Sequence, residues 1–311
     1  MNGEVSEFRR IAESIVSASG VPALLPVIEK EVLHYHILSA MRETGYLDRV
    51  VFQGGTSLRL CHGSPRYSED LDFVGGKGFA GSDMRGLGDV LVRALSSVDP
   101  EIEVKVREPK DDGSTVSRWR IRIRVSGQRR DLPSQIVKLE VAAVPSYEPV
   151  AGLVNVNYPQ LSGLFDQIPV RVESLGEILA DKMVSYVCAG HPRYRDLWDV
   201  NWLLPRGVDV GSAWDMAARK AVDYDEADEW NGFEGRAGAV GGIMEGDGFA
   251  AEMHRFLEPR VYDRTVGDAL WRQAAARTVE SLFLSPVHAV ADPADPLTMD
   301  GNVPGVGFRT I

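Results

Sequence analysis

Residues 50–59 read Val-Val-Phe-Gln-Gly-Gly-Thr-Ser-Leu-Arg, and residues 68–73 read Ser-Glu-Asp-Leu-Asp-Phe. The apolar start of the first stretch predicts a strand, and Gly54 and Gly55 then let the backbone turn tightly and approach a ligand. A helix that starts near Thr56 would direct its N-terminal N–H groups and positive dipole at a bound anion, which favours phosphate. We therefore expect Gly54, Gly55, Thr56 and Ser57 to surround phosphate groups.

Asp70 and Asp72 lie two residues apart in an apolar setting. On a β-strand this spacing directs both carboxylates to the same face. Paired carboxylates of this kind suit Mg²⁺, which proteins hold with one or two carboxylates together with the phosphates of a substrate. A phosphate-binding turn beside such a pair implies a nucleotidyl-transfer centre.

The composition limits the class of protein. The chain has 311 residues, of which 44% are hydrophobic, enough for one large or two modest domains. The net charge of −11 argues against non-specific binding of nucleic acid or anionic membranes by the whole surface. No stretch approaches the roughly 18 apolar residues of a membrane span, and Cys61 and Cys188 form no disulfide or zinc pattern. We expect a cytoplasmic protein without a membrane partner.

The periodicity of apolar residues predicts an α/β domain over residues 1–160, with a mixed sheet, and a mostly helical domain over 161–285. Residues 286–311 contain four prolines and little periodicity, which predicts an extended tail. Residues 224–248 are rich in glycine and acidic side chains. This composition favours a passive loop, with a lid over the cleft as the alternative.

The glycine turn and the acidic pair resemble the DNA polymerase β-type nucleotidyltransferase superfamily. More narrowly, residues 52–59 and 66–73 resemble the AbiEii/MenT family of bacterial toxins, and the resemblance extends to Lys182 and to Arg195-Asp196. The gap between Gly55 and Asp70 is at the long end for the superfamily. The resemblance implies a polymerase β-like nucleotidyltransferase domain with a mixed sheet, followed by a helical C-terminal domain.

Enzymes of this superfamily typically use a third carboxylate on an adjacent strand. The candidate is Glu140, an acidic residue that interrupts the otherwise apolar strand predicted over 134–144. It would act as general base on the incoming hydroxyl, bind the metal with Asp70 and Asp72, or do both. The alternative is an ordinary salt bridge, for instance to Arg122 or Lys138.

Further candidates for phosphate binding lie in the loop before the acidic pair and in the helical domain. Arg66 precedes that pair, together with Ser68, and its guanidinium suits phosphate oxygens, although a solvated loop residue is an equal alternative. The resemblance implies that Lys182 holds the nucleotide phosphates and that Asp196 positions Lys182 or the nucleotide. The alternatives are a surface lysine for Lys182 and an ordinary ion pair between Arg195 and Asp199, four residues apart.

The densest basic stretch alternates with apolar residues, which predicts a strand with one basic face. Its arginines are Arg118, Arg120, Arg122 and Arg124, and the intervening Trp119, Ile121, Ile123 and Val125 would pack inward. Such a face is a candidate track for an RNA backbone, provided that it lies on the same side as Asp70 and Asp72. The alternative is an exposed sheet face whose arginines pair with neighbouring acids.

By resemblance we expect a Mg²⁺-dependent toxin of a toxin–antitoxin or phage-defence pair, with a cognate antitoxin as partner. It would transfer a nucleotide from a nucleoside triphosphate to RNA, at the acceptor end of tRNA. A protein or small-molecule hydroxyl is an alternative acceptor, which the acidic net charge favours. A non-catalytic nucleotide-binding regulator is a second alternative.

Overall fold

The structure is a computed structural model, and it describes residues 7–99, 102–110, 113–124 and 134–284. The predicted tail over 286–311 and the predicted inward-facing Val125 lie outside these residues.

Seven strands form a single mixed sheet in the described part of the chain. The strands are β1 (Val51–Gln53), β2 (Leu71–Val74), β3 (Glu103–Arg107), β4 (Val116–Arg124), β5 (Gln135–Ala142), β6 (Pro149–Leu153) and β7 (Pro169–Glu173). Their order across the sheet is β3-β4-β5-β2-β1-β7-β6. Strand β2 pairs parallel with β5, and β1 pairs parallel with β7, whereas the other pairs are antiparallel. The mixed sheet expected from the sequence is confirmed.

Among the described residues, four α-helices precede β3 and nine follow β7. The first four are α1 (Glu7–Ser19), α2 (Leu25–Glu43), α3 (Gly54–Cys61) and α4 (Leu87–Val98). The others are α5 (Leu175–Cys188), α6 (Tyr194–Leu203), α7 (Val210–Asp223), α8 (Ala227–Trp230), α9 (Phe233–Ala237), α10 (Val240–Glu245), α11 (Asp247–His254), α12 (Pro259–Arg264) and α13 (Ala269–Leu284). Within the described residues, no helix is long and apolar enough to cross a membrane.

The change from sheet to helices falls later in the chain than the predicted boundary at residue 160. Strand β7 pairs with β1, so the sheet continues to Glu173. The helical part starts with α5, where Ser174 caps the helix by accepting a hydrogen bond from the backbone N–H of Glu177. Because β6 and β7 are short and each begins with proline, their pattern was too brief to predict them as strands.

The prediction of a loop over residues 224–248 is wrong, because this segment forms short helices from α8 onward. Its few large apolar side chains, among them Trp230, Val240 and Met244, are buried in the core of the helical layer. Burial of these residues against α13 and α5 stabilises helices whose glycines would make them marginal in isolation.

Candidate active site

Strand pairing places four polar side chains side by side across the middle of the sheet. Gln53 of β1 lies opposite Asp72 of β2, Asp72 opposite Glu140 of β5, and Glu140 opposite Arg118 of β4. Residues directly opposite on neighbouring strands present their side chains to the same face. We call these four residues the cross-strand row. The predicted third carboxylate, Glu140, therefore lies beside Asp72.

Two of the three predicted metal-binding carboxylates have a cationic neighbour. Lys138 Nζ lies 3.2 Å from Asp70 Oδ2, and Arg118 Nε lies 3.0 Å from Glu140 Oε1. The side chains of Lys138 and Arg118 are 52% and 59% exposed, so these ion pairs cost little to break. The salt-bridge alternative for Glu140 is thus realised, with Arg118 as the partner instead of Arg122 or Lys138.

The surroundings of Asp72 disfavour its ionised form. Desolvation at the bottom of the cleft, with the nearby charges of Asp70 and Glu140, raises its pKa to about 7. Gly54 packs directly against it: a Cβ atom at Gly54 would lie 2.7 Å from Asp72 Oδ2. Gly54 also has a φ of +78°, which disfavours any residue with a side chain. The position of Asp72 therefore requires a residue without a side chain at position 54.

The donor chemistry of this cluster fits a divalent cation. Asp70, Asp72 and Glu140 offer oxygen ligands only, as Mg²⁺ prefers. The pKa of Asp72 is raised by desolvation first and by the charges of Asp70 and Glu140 second, and a bound cation would favour the ionised form against both. The described residues contain no preassembled group of three metal-ligating side chains. Lys138 and Arg118, which contact Asp70 and Glu140, would have to move aside for all three carboxylates to bind one ion.

The hydroxyl groups of the glycine turn are used within the protein. Thr56 donates a hydrogen bond to the backbone carbonyl of Asp70, and Ser57 Oγ donates to the carbonyl of Gly54 at 2.8 Å. Both side chains are buried, whereas Gly55 and Ser68 line the cleft. These hydroxyls hold the turn and the loop before β2 in place, and phosphate binding by the backbone N–H groups of the turn stays a prediction.

Arg66 is a buried structural residue and not a solvated one. Its side chain is 2% exposed, and its Nε and Nη2 donate to the two carboxylate oxygens of Asp199 at 2.7 and 2.6 Å. A third bond, at 2.8 Å, goes to the carbonyl of Tyr67. Arg66 still lines the cleft, so a phosphate contact stays a prediction, but its main interaction joins the loop before β2 to α6.

Lys182 and Asp196 lie in direct contact, as the resemblance implied. Lys182 Nζ lies 2.8 Å from Asp196 Oδ1 and 3.0 Å from Asp199 Oδ2, and its side chain is buried, which excludes the surface-lysine alternative. Burial opposes ionisation of Asp196, but Lys182 and Arg193 outweigh it and hold the pKa of Asp196 below its usual range. Asp196 and Asp199 therefore fix the ammonium group of Lys182 at the wall of the cleft.

The predicted alternative ion pair between Arg195 and Asp199 does not form. Arg195 lies 3.7 Å from both Glu69 and Glu252, while Asp199 is held by Arg66 and Lys182. Sequence reasoning also missed Arg193 and Glu252 as cleft residues. Arg193 lies three residues before Asp196 on the approach to α6, a spacing that could have identified it as a partner of Asp196.

These residues surround a cleft of about 450 Å³ between the sheet and helices α5, α6 and α11. It brings together most of the predicted site, with Asp70, Asp72 and Glu140 on one wall and Lys182 and Asp196 on the other. The cleft is strongly charged, and its basic side chains are Arg66, Lys138, Lys182, Arg193 and Arg195. Such a cleft suits a ligand that carries several negative charges and brings its own cations.

The arginines of β4 extend from this cleft along the same face of the sheet. Arg118, Arg120 and Arg122 are exposed and Trp119, Ile121 and Ile123 are buried, as their alternation predicts. Arg118 lies opposite Glu140 and Arg120 opposite Lys138, so the arginines of β4 lie on the same face of the sheet as the carboxylates.

Lys105 and Arg107 of β3 continue the basic surface towards the sheet edge. Arg124 pairs with Glu103 at 3.1 Å, whereas Arg120 and Arg122 have no acidic partner among the described residues. We call Arg120, Arg122, Lys105 and Arg107 the basic face. The alternative, in which the arginines of β4 pair with neighbouring acids, is thus realised for Arg118 and Arg124 but not, among the described residues, for Arg120 and Arg122.

A glycine turn at a helix N-terminus, beside acidic side chains on a mixed sheet and facing a cleft with both acidic and basic side chains, is the arrangement expected of a nucleotidyltransferase. The sequence model of the family described as "Nucleotidyl transferase AbiEii toxin, Type IV TA system" matches residues 36–292. The chain therefore belongs to the AbiEii family of nucleotidyltransferase toxins of type IV toxin–antitoxin systems.

Two solved structures resemble the chain, and the similarity to the first supports its fold. MenT4, a nucleotidyltransferase toxin from Mycobacterium tuberculosis H37Rv, superposes with a TM-score of 0.57 at 19% identity, over 89% of each chain. JHP933 from Helicobacter pylori gives a TM-score of 0.43 at 19% identity, over 83% of this chain and 93% of its own. A search of curated protein sequences found no match.

Proposed function

We propose that the protein is a Mg²⁺-dependent toxin that transfers a nucleotide from a nucleoside triphosphate to RNA, at the 3′ end of tRNA. The observation that carries this proposal is the cross-strand row. It places the carboxylates between the glycine turn on one side and the basic face on the other. The nucleoside triphosphate can thus reach the carboxylates from the side of the glycine turn, and the RNA from the side of the basic face.

In the proposed reaction the acceptor hydroxyl attacks the α-phosphate in line, forms a new phosphodiester bond and releases pyrophosphate. Glu140, at the side nearer the basic face, accepts the proton of the hydroxyl. Lys182 and Arg193 stabilise negative charge on the β- and γ-phosphates from the opposite wall. A divalent cation bound by Asp70, Asp72 and Glu140 would neutralise phosphate charge and lower the pKa of the acceptor hydroxyl.

The charge distribution supports RNA as the acceptor. The whole chain carries a net charge of −11, so a polyanion would be repelled by most of its surface. The basic face is an exception, and it leads directly to Glu140. Each phosphate neutralised there adds about 0.7 to 0.9 to the slope of log affinity against log salt.

The first test is incubation of the protein with total tRNA, Mg²⁺ and each α-³²P nucleoside triphosphate in turn. We expect label on tRNA with at least one nucleotide and none with Asp72→Asn, which keeps the shape of the side chain. Arg120→Ser with Arg122→Ser should reduce labelling of tRNA and flatten its salt dependence, without changing the affinity for the triphosphate. Labelling of tRNA by Asp72→Asn at the wild-type rate would contradict the proposal.

A protein or small-molecule hydroxyl remains the alternative acceptor, since the acidic net charge suits it. Label on such an acceptor, unaffected by the two serine substitutions and absent from tRNA, would favour it. Membership of a nucleotidyltransferase family argues against the other alternative, a regulator without turnover. The type IV toxin–antitoxin family implies an antitoxin as the partner that counters the activity.

A further inference from the structure

A second cavity, of about 370 Å³, lies next to the active-site cleft. The two share three lining residues, Asp72, Lys182 and Arg193, which form a common rim. Gln53 and Gly54 line the second cavity from the sheet side, and the ends of α5 and α7 line it from the helical side. The reaction described above assigns no role to this cavity.

Its position along the cross-strand row indicates which substrate it serves. The row runs from Arg118 through Glu140 and Asp72 to Gln53, with the basic face at the Arg118 end and the second cavity at the Gln53 end. In-line displacement requires the attacking hydroxyl and the leaving pyrophosphate to lie on opposite sides of the α-phosphorus. An acceptor that approaches past Arg118 therefore directs the pyrophosphate towards Lys182 and Arg193 on the opposite wall, which leaves the Gln53 end of the row for the nucleoside.

The lining of the second cavity differs in chemistry from that of the cleft. Val184, Cys188 and Ala189 supply apolar surface, and Tyr224 supplies an aromatic ring. Asp181 also lines the cavity, but Lys220 Nζ lies 2.7 Å from its Oδ2 and compensates its charge. The basic side chains in this lining, Lys182 and Arg193, are those of the shared rim. A cavity of this size with an apolar wall and a few polar groups suits an uncharged ring.

We propose that the second cavity binds the nucleoside part of the triphosphate, with the base against the ring of Tyr224, while the phosphates cross the rim at Lys182 and Arg193 into the cleft. This inference rests on the proposed function, because it takes a nucleoside triphosphate as the donor. It makes Tyr224 and the end of α5 the elements that recognise the base. Base–aromatic stacking of this kind is worth about 10- to 100-fold in affinity.

The test fills the cavity and compares two ligands. Ala189→Trp places a large ring in the cavity, and Val222→Trp places the same ring on α7 at a position that is 66% exposed and outside the cavity. Dissociation constants are measured by calorimetry, with Mg²⁺, for each nucleoside triphosphate and for inorganic tripolyphosphate. We expect Ala189→Trp to weaken nucleoside triphosphates at least 10-fold and to leave tripolyphosphate unchanged, while Val222→Trp changes neither.

Tyr224→Leu is the second variant, and it tests binding of the nucleoside in the second cavity if Ala189→Trp fails to fold. We expect it to weaken the nucleoside triphosphates about 10-fold or more and to leave tripolyphosphate unchanged. Wild-type affinity for nucleoside triphosphates in a folded variant would overturn the inference, as would an equal loss for tripolyphosphate. If the wild type binds triphosphates but labels no RNA, the proposed acceptor fails and the nucleoside site stands. If the wild type binds no triphosphate, both proposals fail.

Discussion

At the scale of single residues, the site depends on how closely the glycine turn approaches Asp72. Gly54 has both a left-handed backbone and a carboxylate where its side chain would be. Gly63, at the other end of α3, has a similar φ of +76° with nothing within 4 Å of a built Cβ atom. Substitutions at the two glycines therefore distinguish the effect of backbone strain from the effect of displacing Asp72, the carboxylate proposed to bind the metal.

We predict that Gly54→Ala and Gly63→Ala each lower the free energy of unfolding by about 1–2 kcal/mol, the cost of a left-handed conformation. In Gly54→Ala the new methyl group also displaces Asp72, and a shift of about 1 Å in a catalytic group costs on the order of 100-fold in rate. Urea unfolding and transfer rates of both variants test this. Equal transfer rates in the two alanine variants would show that the contact between Gly54 and Asp72 is unimportant.

His34 gives a residue-scale prediction about pH. It is fully buried on α2, its Nε2 lies 3.1 Å from the carbonyl of Glu69, and burial lowers its pKa to about 4. The unfolded chain takes up this proton near pH 6.5 and the folded protein only near pH 4. Between these values the unfolded state binds more protons, so the free energy of unfolding falls as the pH falls.

We predict that His34→Gln, which keeps a donor for Glu69, removes this part of the acid sensitivity. The stability advantage of wild type over variant should shrink by about 2–3 kcal/mol between pH 7.5 and pH 4.5, from roughly 1.4 kcal/mol per pH unit. Urea unfolding of both proteins at a series of pH values measures the difference. A difference that stays constant across this range would mean that His34 does not titrate as the structure indicates.

At the scale of elements, helices α5 and α6 and the loop before β2 are joined by one buried charge cluster. Asp199 of α6 accepts two bonds from Arg66 and lies 3.0 Å from Lys182 of α5. Lys182 in turn contacts Asp196, which faces the cleft. Asp199 therefore holds two cleft residues, Arg66 and Lys182, in position without lining the cleft itself.

We predict that Asp199→Asn destabilises the protein by about 3–5 kcal/mol, because it leaves Arg66 and Lys182 buried with less compensating charge. Asp215→Asn, an exposed acid of α7, is the matched control and should change stability by no more than about 0.5 kcal/mol. Thermal and urea unfolding give both values. Similar small losses in the two variants would contradict the structural role of Asp199.

At the scale of the whole molecule, Lys220 connects the sheet to the helical layer. Its Nζ lies 2.9 Å from Glu173 at the end of β7, and 2.9 and 2.7 Å from Glu177 and Asp181 of α5. Burial and the charge of Asp181 raise the pKa of Glu173 well above its usual range, although Lys220 opposes this. The position of α5, and with it that of Lys182, relative to the sheet depends on this lysine.

We predict that Lys220→Met destabilises the whole protein by about 3–5 kcal/mol, because three buried carboxylates lose their shared cation. Lys77→Met removes a lysine that is 73% exposed from its contact with Asp223 and should change stability little, because solvent screens exposed ion pairs. Urea unfolding at neutral pH compares the two. If Lys220→Met unfolds at the urea concentration of Lys77→Met, the buried cluster does not hold the layers together.

Local patterns predicted much of the fold and part of the site. The alternation along β4 was confirmed, and Asp70 and Asp72 line one cleft, because each pattern depends on residues a few positions apart. The internal hydrogen bonds of Thr56 and Ser57 could not be predicted, since these residue types suit phosphate binding as readily as a bond to a backbone carbonyl. The helices over 224–248 were missed because packing against α13, and not helix propensity, stabilises them.

The sequence alone determined which side chains share a face, because that follows from the period of 2 in a strand and 3.6 in a helix. It also determined the family, through the glycine turn and the acidic pair. Only the tertiary structure decided that Glu140 lies beside Asp72, that Asp199 holds Arg66 from 133 positions away, and that a second cavity opens beside Gln53. Such neighbours come from strand order and helix packing, and no local period specifies which distant segments meet.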